Sequence, residues 1–222
     1  EKLLKYLNVN FKLRRLANGG NEIDLNGPYE IKSKNIFVAG DPSSSSFFIV
    51  GALIVPGSNI KIKNVSLNPT RIAFIKILKK MGGKIKIETT GKRSGETVGN
   101  ITARYSSLNG IEIKSNLAPF LIDEYPILSI AATQAKGKTI MRGLNELRHK
   151  ESDRIKSIVY NLKKLDYNIK SKNDEIIIRS KVIALNKKYY IKTFNDHRIA
   201  MSFSILELLY PKKITIDNAK CI

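Results

Sequence analysis

Ile77-Leu78-Lys79-Lys80-Met81-Gly82-Gly83-Lys84-Ile85-Lys86-Ile87 reads as the end of a helix, a glycine stop, and a strand in which apolar and charged residues alternate. Two other stretches follow the same plan: Leu3-Leu4-Lys5-Tyr6-Leu7-Asn8-Val9-Asn10-Phe11-Lys12-Leu13 and Asn161-Leu162-Lys163-Lys164-Leu165-Asp166-Tyr167-Asn168-Ile169-Lys170-Ser171. Self-similarity of this kind marks an internal repeat, and a repeat constrains the fold more than any one segment does. After each strand come a polar turn and a second strand: Glu22 to Leu25 after Gly19-Gly20, Ile101 to Tyr105 after a longer loop, and Glu175 to Arg179 after Lys172-Asn173-Asp174. These pairs are predicted to be hairpins.

A second element repeats between the hairpins. Val38-Ala39-Gly40-Asp41-Pro42-Ser43-Ser44-Ser45-Ser46 leads into a helix predicted from about Ser44 to Ile54, then through Pro56-Gly57 into the strand Ile60 to Val65. Its second copy is Leu121-Ile122-Asp123-Glu124-Tyr125-Pro126, a helix to about Ala135, Lys136-Gly137, and the strand Thr139-Ile140-Met141. The third is Phe194-Asn195-Asp196-His197-Arg198, a helix to about Leu209, Pro211, and the strand Lys213 to Ile216, so that Asp41, Asp123 and Asp196 fall at equivalent places. Copies one and two then start another helix, at Asn68-Pro69-Thr70-Arg71 and at Lys150 to Arg154, whereas the third reaches Cys221-Ile222 first. The predicted unit is β-α-β-α-β-β, an α/β fold with right-handed crossovers between its parallel strands. The chain is expected to be a fragment that begins inside a helix and stops before one.

With 222 residues the chain can form one large domain or two small ones around a real core. Apolar runs such as Phe47 to Pro56 are too short and interrupted to span a bilayer, so no membrane partner is expected. Glu1-Lys2-Leu3-Leu4 is not followed by a long apolar core, which argues against a signal peptide. The single Cys221 excludes an internal disulfide and fits a reducing compartment. A formal charge of +20 raises the alternative of a basic nucleic-acid-binding domain, which would show steep salt dependence of duplex binding. Against it, the lysines spread along the whole chain, with Lys79-Lys80, Lys163-Lys164 and Lys187-Lys188 on predicted helix faces and hairpins. No basic arm interleaved with aromatics occurs, so nucleic acid is not an expected partner, while small polyanions fit the charge.

The polar residues gather at helix starts. Lys150-Glu151-Ser152-Asp153-Arg154 opens the apolar-periodic helix Ile155, Ile158, Val159, Leu162, Leu165, and Ser152 or Asp153 can cap it. A cap alone does not require two cations and two acids together. Asp123-Glu124-Tyr125-Pro126 and Asn195-Asp196-His197-Arg198 open two more helices in the same way. Helix N-termini favour negative charge, so three of them bearing acid, base and arginine suit the wall of a site for an anionic substrate. The plain alternative is that each cluster only caps its helix.

In order along the chain, Gly40-Asp41-Pro42-Ser43-Ser44 with Phe47-Phe48, Asn68-Pro69-Thr70-Arg71, Asp123-Glu124-Tyr125-Pro126, Glu146-Leu147-Arg148-His149-Lys150-Glu151-Ser152-Asp153-Arg154 and Asp196-His197-Arg198-Ile199-Ala200-Met201 resemble the motifs of the enolpyruvylshikimate-phosphate synthases. The resemblance extends over essentially the whole chain. The sister enolpyruvyl transferases of peptidoglycan synthesis share the fold but are not similar in these motifs. The resemblance implies two domains, each an inside-out α/β barrel of three β-α-β-α-β-β units, with the active site in the cleft between them. By the same resemblance, residues 1–37 are the tail of the N-terminal domain, and 38–222 are the C-terminal domain without its last helix.

The implied reaction joins the 5-hydroxyl of shikimate 3-phosphate to C2 of phosphoenolpyruvate and expels phosphate, in the cytoplasm and without cofactor or metal. Asp123 matches the family residue that binds the shikimate hydroxyl and accepts its proton, unless it is an N-cap. Glu151 matches the residue that exchanges protons at the methylene carbon, unless it serves as a capping or salt-bridge glutamate. Arg154 and Arg198 match the arginines that hold phosphoenolpyruvate, a role suited to a planar fork that stays charged. Lys150 matches a lysine that contacts shikimate 3-phosphate, and His197 is either a supporting residue or a satisfied structural histidine. The Gly40 to Ser44 segment is read as the structural counterpart of the other two helix starts, and Asn68 to Arg71 as capping. Since the remaining ligands belong to the N-terminal domain, the 222-residue chain alone is expected to be inactive. An enolpyruvyl transferase for another alcohol is the alternative within the same superfamily.

Overall fold

A computed structural model describes the chain at every residue except 182 and 185. It opens with a short helix, α1 (Lys2–Tyr6), and an antiparallel hairpin of β1 (Lys12–Arg15) and β2 (Asn21–Asp24). Residues 1–37 are otherwise irregular and contribute a single buried side chain, Val9.

The repeat then unfolds as predicted. In the first unit come α2 (Pro42–Ile54), β3 (Asn59–Ser66), α3 (Ala73–Lys80), β4 (Lys84–Arg93) and β5 (Glu96–Arg104). Gly40 makes a parallel bridge to Val65 in place of a first strand, and the sheet order is β3-β5-β4. The second unit has β6 (Glu112–Ile113), a 3-10 turn (Ser115–Phe120), α4 (Tyr125–Thr133), β7 (Lys138–Met141), a second 3-10 turn (Asn145–His149), α5 (Arg154–Lys164), β8 (Asn168–Lys172) and β9 (Glu175–Arg179). Its sheet order, β6-β7-β9-β8 with β6 and β7 parallel, reproduces the first. The third supplies β10 (Tyr189–Ile191), α6 (His197–Glu207) and β11 (Ile214–Ile216), again a parallel pair around one helix.

Two features differ from the prediction. The longer loop expected between Ile87 and Ile101 is strand: β4 and β5 run out to a turn at Ser94-Gly95, both at positive φ, as a tight hairpin turn requires. Glu88-Thr89-Thr90-Gly91 looked like loop because its residues are polar, and Gly91 sits at a bulge in the ladder. The first strands of units two and three, β6 and β10, are two and three residues long, too short to show alternation.

Helices form the centre and sheets the outside. α2, α4 and α6 pack on one another, and every residue of α4 is buried. A helix buried on all sides carries no amphipathic stripe, which explains Ile127 to Ala132, and α2 is buried except at Ser44 and Phe48, which leaves Phe47 to Ile54 a nearly continuous apolar run. α2 packs on α6 at Gly51, where a Cβ would make an ordinary contact 3.5 Å from the Ile205 side chain. Hydroxyls inside this centre bond to their own helix, Ser46 to the Ser43 carbonyl, Ser129 to Pro126 and Thr133 to Ile130. α3 and α5 are amphipathic, with Phe74, Leu78, Ile158 and Leu162 inward and Lys79-Lys80 and Lys163-Lys164 outward. Among the described residues the strands form four separate sheets, rather than one closed ring, and the β1-β2 hairpin is almost wholly exposed.

Candidate active site

The N-termini of α2, α4 and α6 meet at one end of the helical centre, as the repeat requires. Two of them are capped as expected. The Asp41 carboxylate accepts from the Ser44 amide at 2.8 Å. Asp196 accepts from the amides of Arg198 at 2.9 Å and Ile199 at 3.4 Å. For α5 the cap is Asp153, which accepts from the Lys156 amide at 3.0 Å. The equivalence of Asp123 with Asp41 and Asp196 fails in one respect. α4 starts at Tyr125, its N-cap is Glu124, and neither acid bonds an N-terminal amide of the helix. Tyr125-Pro126 takes up the first helical positions, which shifts Asp123 just outside the helix and leaves its carboxylate free for other partners.

Those partners are arginines. Arg154, the first residue of α5, is 1% exposed, and its guanidinium meets three carboxylates at once. Nε donates to Asp196 Oδ2 at 2.8 Å, Nη1 donates to Asp123 Oδ1 at 3.3 Å, and Nη2 donates to Glu151. Asp196 is fully buried, whereas the side chains of Asp123 and Glu151 are 35% and 47% exposed, so the cluster runs from core to open face. Burial pushes the Asp196 carboxyl up, but the hydrogen bond and charge of Arg154, the Arg198 amide and the Ser152 hydroxyl outweigh it and hold it below its usual value. Arg198 points Nη1 at the Asp123 carbonyl, 3.2 Å, with Nη2 3.6 Å from its carboxylate. His197 Nδ1 lies 3.6 Å from Glu151 Oε1. Lys150 is exposed and is the one predicted site residue with no ion pair to the others among the described residues.

Glu151, Asp196 and His197 offer ligand atoms within 4.8 Å of one another. Both Asp196 oxygens are already committed, Oδ2 to Arg154 and Ser152 and Oδ1 to the α6 amides. The positive charge between these acids is thus supplied by Arg154, with which a cation would have to compete.

Sequence reasoning missed a second group beside this one. Glu124 is 4% exposed, and Ser43 of α2 lies 2.5 Å from its Oε1. Arg71 donates to the Ser43 hydroxyl at 3.0 Å and to Asp41 at 3.2 Å, which joins the Asn68–Arg71 turn to α2 and α4. Burial raises the Asp41 carboxyl, but the amides of Ser44 and Ser43, the Ser44 hydroxyl and Arg71 bring it below its usual value. The signal available in the sequence was α4 itself: a helix buried on every side draws in whatever precedes it.

Burial pushes the Glu124 carboxyl up, against the Ser43 hydrogen bond and the Arg198 charge. An acid whose pKa is raised on folding binds its proton more tightly in the folded state, so its ionisation costs stability at higher pH. Glu124→Gln is therefore expected to stabilise the fold above the raised pKa. The gain should vanish as the pH falls below the ordinary carboxylate value of 4.5. Thermal melts at pH 8 and pH 4 on both proteins check this, and a variant less stable at both would contradict it.

The family model described as EPSP synthase (3-phosphoshikimate 1-carboxyvinyltransferase) matches residues 2–222. A 3-phosphoshikimate 1-carboxyvinyltransferase from Petrotoga mobilis is 43% identical over 100% of this chain and 50% of its own length. One from Clostridium tetani is 40% identical over 100% of this chain and 49% of its own length. An EPSP synthase structure from Acinetobacter baumannii superposes with a TM-score of 0.85 at 35% identity, covering 97% of this chain and 49% of that one. The enolpyruvyl transferase NikO from Streptomyces tendae shares the fold, with a TM-score of 0.66 at 15% identity over 97% of this chain and 47% of that one. The chain spans about half the length of the curated relatives it matches.

Proposed function

The chain belongs to the EPSP synthase family, and from that premise we propose that it forms one wall of an active site that transfers the enolpyruvyl group of phosphoenolpyruvate to the 5-hydroxyl of shikimate 3-phosphate. The observation that carries this reading is the Arg154 cluster, which holds an acid on each side of one guanidinium at the open end of three helices. Residues 38–222 constitute this wall; residues 1–37 belong to the domain that supplies the other, together with further ligands for both substrates. Its place of work is the cytoplasm, and no helix among the described residues is long and apolar enough to cross a membrane.

In this mechanism Asp123 takes the proton of the 5-hydroxyl as its oxygen bonds to C2 of phosphoenolpyruvate. Glu151 delivers a proton to the methylene carbon, which gives a tetrahedral adduct. Removal of a proton from the same carbon then re-forms the double bond as phosphate leaves. Arg198 and Arg154 bind the carboxylate and phosphate of phosphoenolpyruvate, and Lys150 binds the phosphate of the acceptor. Each guanidinium nitrogen of Arg154 already meets a carboxylate in the free site, so substrate takes the remaining Nη hydrogens or displaces one of these acids. The bond to exposed Glu151 yields more readily than the one to buried Asp196, and its opening frees Glu151 to carry a proton. His197 steadies Glu151 from its other side.

The test is phosphate release by the longer protein that contains these 222 residues. Release should require both phosphoenolpyruvate and shikimate 3-phosphate, and the 222-residue chain alone should give none. A folded longer protein that releases no phosphate with this acceptor, but does with another alcohol, would reassign the substrate.

A further inference from the structure

The repeat makes each copy a template for the next, and one contact present in the second copy has no counterpart in the first. The hairpin alignment pairs Lys76 and Lys80 of α3 with Tyr160 and Lys164 of α5, while the match of Asp123 with Asp196 pairs Leu121 with Phe194. In the second copy the Tyr160 ring stands edge-on to Phe194, with centroids 5.8 Å apart and planes at 82°. The Lys164 ammonium lies 5.9 Å from the Tyr160 ring centre and donates to the Tyr190 carbonyl at 2.7 Å. The aromatic ring thus closes the junction between the second helix of one unit and the start of the next.

At the equivalent junction in the first copy there is a pocket of about 350 Å³. Its walls are Pro69, Ala73 and Ile77 on one side and Leu117, Phe120 and Leu121 on the other. Lys76 and Lys80 stand at this wall, no acid lines it, and neither lysine forms an ion pair among the described residues. Phe120 in this wall is 43% exposed and accessible to a ligand.

We propose that this pocket binds a small aromatic carboxylate, with its ring where Tyr160 sits in the next copy and its carboxylate on Lys76 and Lys80. Apolar walls favour the ring, and an ammonium over its face adds attraction. The two lysines one helical turn apart select for the anion. The pocket also connects with the active-site face. The Leu121 carbonyl in its wall accepts from the amides of Glu124 at 2.9 Å and Tyr125 at 3.2 Å, so Asp123 lies inside the turn that a ligand would touch. This site is separate from the proposed catalytic reading and stands or falls without it.

The test is an amide NMR titration of the 222-residue chain with 3-phenylpropanoate, beside 3-phenylpropylamine and propanoate. The aromatic carboxylate should give saturable shifts in Ala73–Lys80 and 117–121, carried into the amides of Asp123 and Glu124. The Lys76→Glu, Lys80→Glu double variant should bind about tenfold more weakly or worse. Lys76→Tyr should fill the pocket from within, as Tyr160 does, and abolish binding. Both lysines are exposed, so these variants keep the fold, which the unchanged amides of α4 and α6 verify. No saturable shift, an equal response to the amine, or undiminished binding by Lys76→Tyr would overturn the proposal.

Discussion

Replacing Arg154 with alanine is expected to cost the fold about 3–5 kcal/mol at neutral pH, because it strands a buried charge. Asp196 is fully buried and keeps its proton off largely through the Arg154 hydrogen bond and charge. Without Arg154, the capping amides of α6 and the Ser152 hydroxyl remain, but burial pushes the carboxyl upward unopposed by any cation in contact. In the parent, the lowered pKa of Asp196 contributes stability above the unfolded carboxylate value, and that contribution is lost as pH falls through the lowered one. In the variant the carboxyl can fold neutral in acid, so the deficit should be largest near pH 7 and shrink toward pH 4. Urea unfolding of both proteins across this range measures it.

A second substitution separates the stranded charge from lost packing. Asn at 196 keeps the oxygen that caps α6 and removes the charge, so Arg154→Met with Asp196→Asn should recover a large part of what Arg154→Met loses. Asp123 and Glu151 are half exposed and screened by water, so they add little to the deficit. An Arg154→Ala protein within about 1 kcal/mol of the parent at pH 7 would mean that Asp196 is already neutral, and the electrostatic account of the cluster would fail.

Much of the architecture was legible because it repeats. Lys-Lys before a turn, followed by alternation, marked two helix ends and hairpins, at Lys79-Lys80 and Lys163-Lys164, and the copy at Lys5-Tyr6 corroborated them. Illegible were features that depend on partners distant in the chain. β6 and β10 are strands only because β7 and β11 lie beside them. Glu88 to Gly91 is strand because β5 pairs with it through a bulge, although its composition favours a loop. In the candidate site, the acids and arginines stood out by their density at helix starts. Which of them would cap and which would pair did not. Asp41, Asp153 and Asp196 cap, whereas Asp123 and Glu151 are claimed by Arg154, a choice set by where α4 and α5 begin. The Ser43–Glu124–Arg71 link joins residues 81 and 28 positions apart, and nothing in the local pattern of either segment announces it.

The same division between capping and pairing decides what Asp123→Asn and Glu151→Gln should do. Each replacement keeps an oxygen that can accept from Arg154, and each original side chain is partly exposed, so stability should change by about 1 kcal/mol or less. The proton transfers proposed for them would be lost, and phosphate release by the longer protein should fall roughly 10²–10⁴-fold for either variant, mainly in kcat. The two are distinguishable by the bond each serves. Glu151→Gln should also suppress incorporation of solvent deuterium into the methylene group, because the proposed mechanism takes the proton at that carbon from Glu151. Asp123→Asn should slow the attack of the hydroxyl, and its rate should recover as the pH rises and the alcohol needs less help from a base. If Glu151→Gln instead kept full turnover, its contact with Arg154 would be a surface ion pair, and the methylene proton would have to come from another group. His197, 3.6 Å from Glu151, would then be the first to replace.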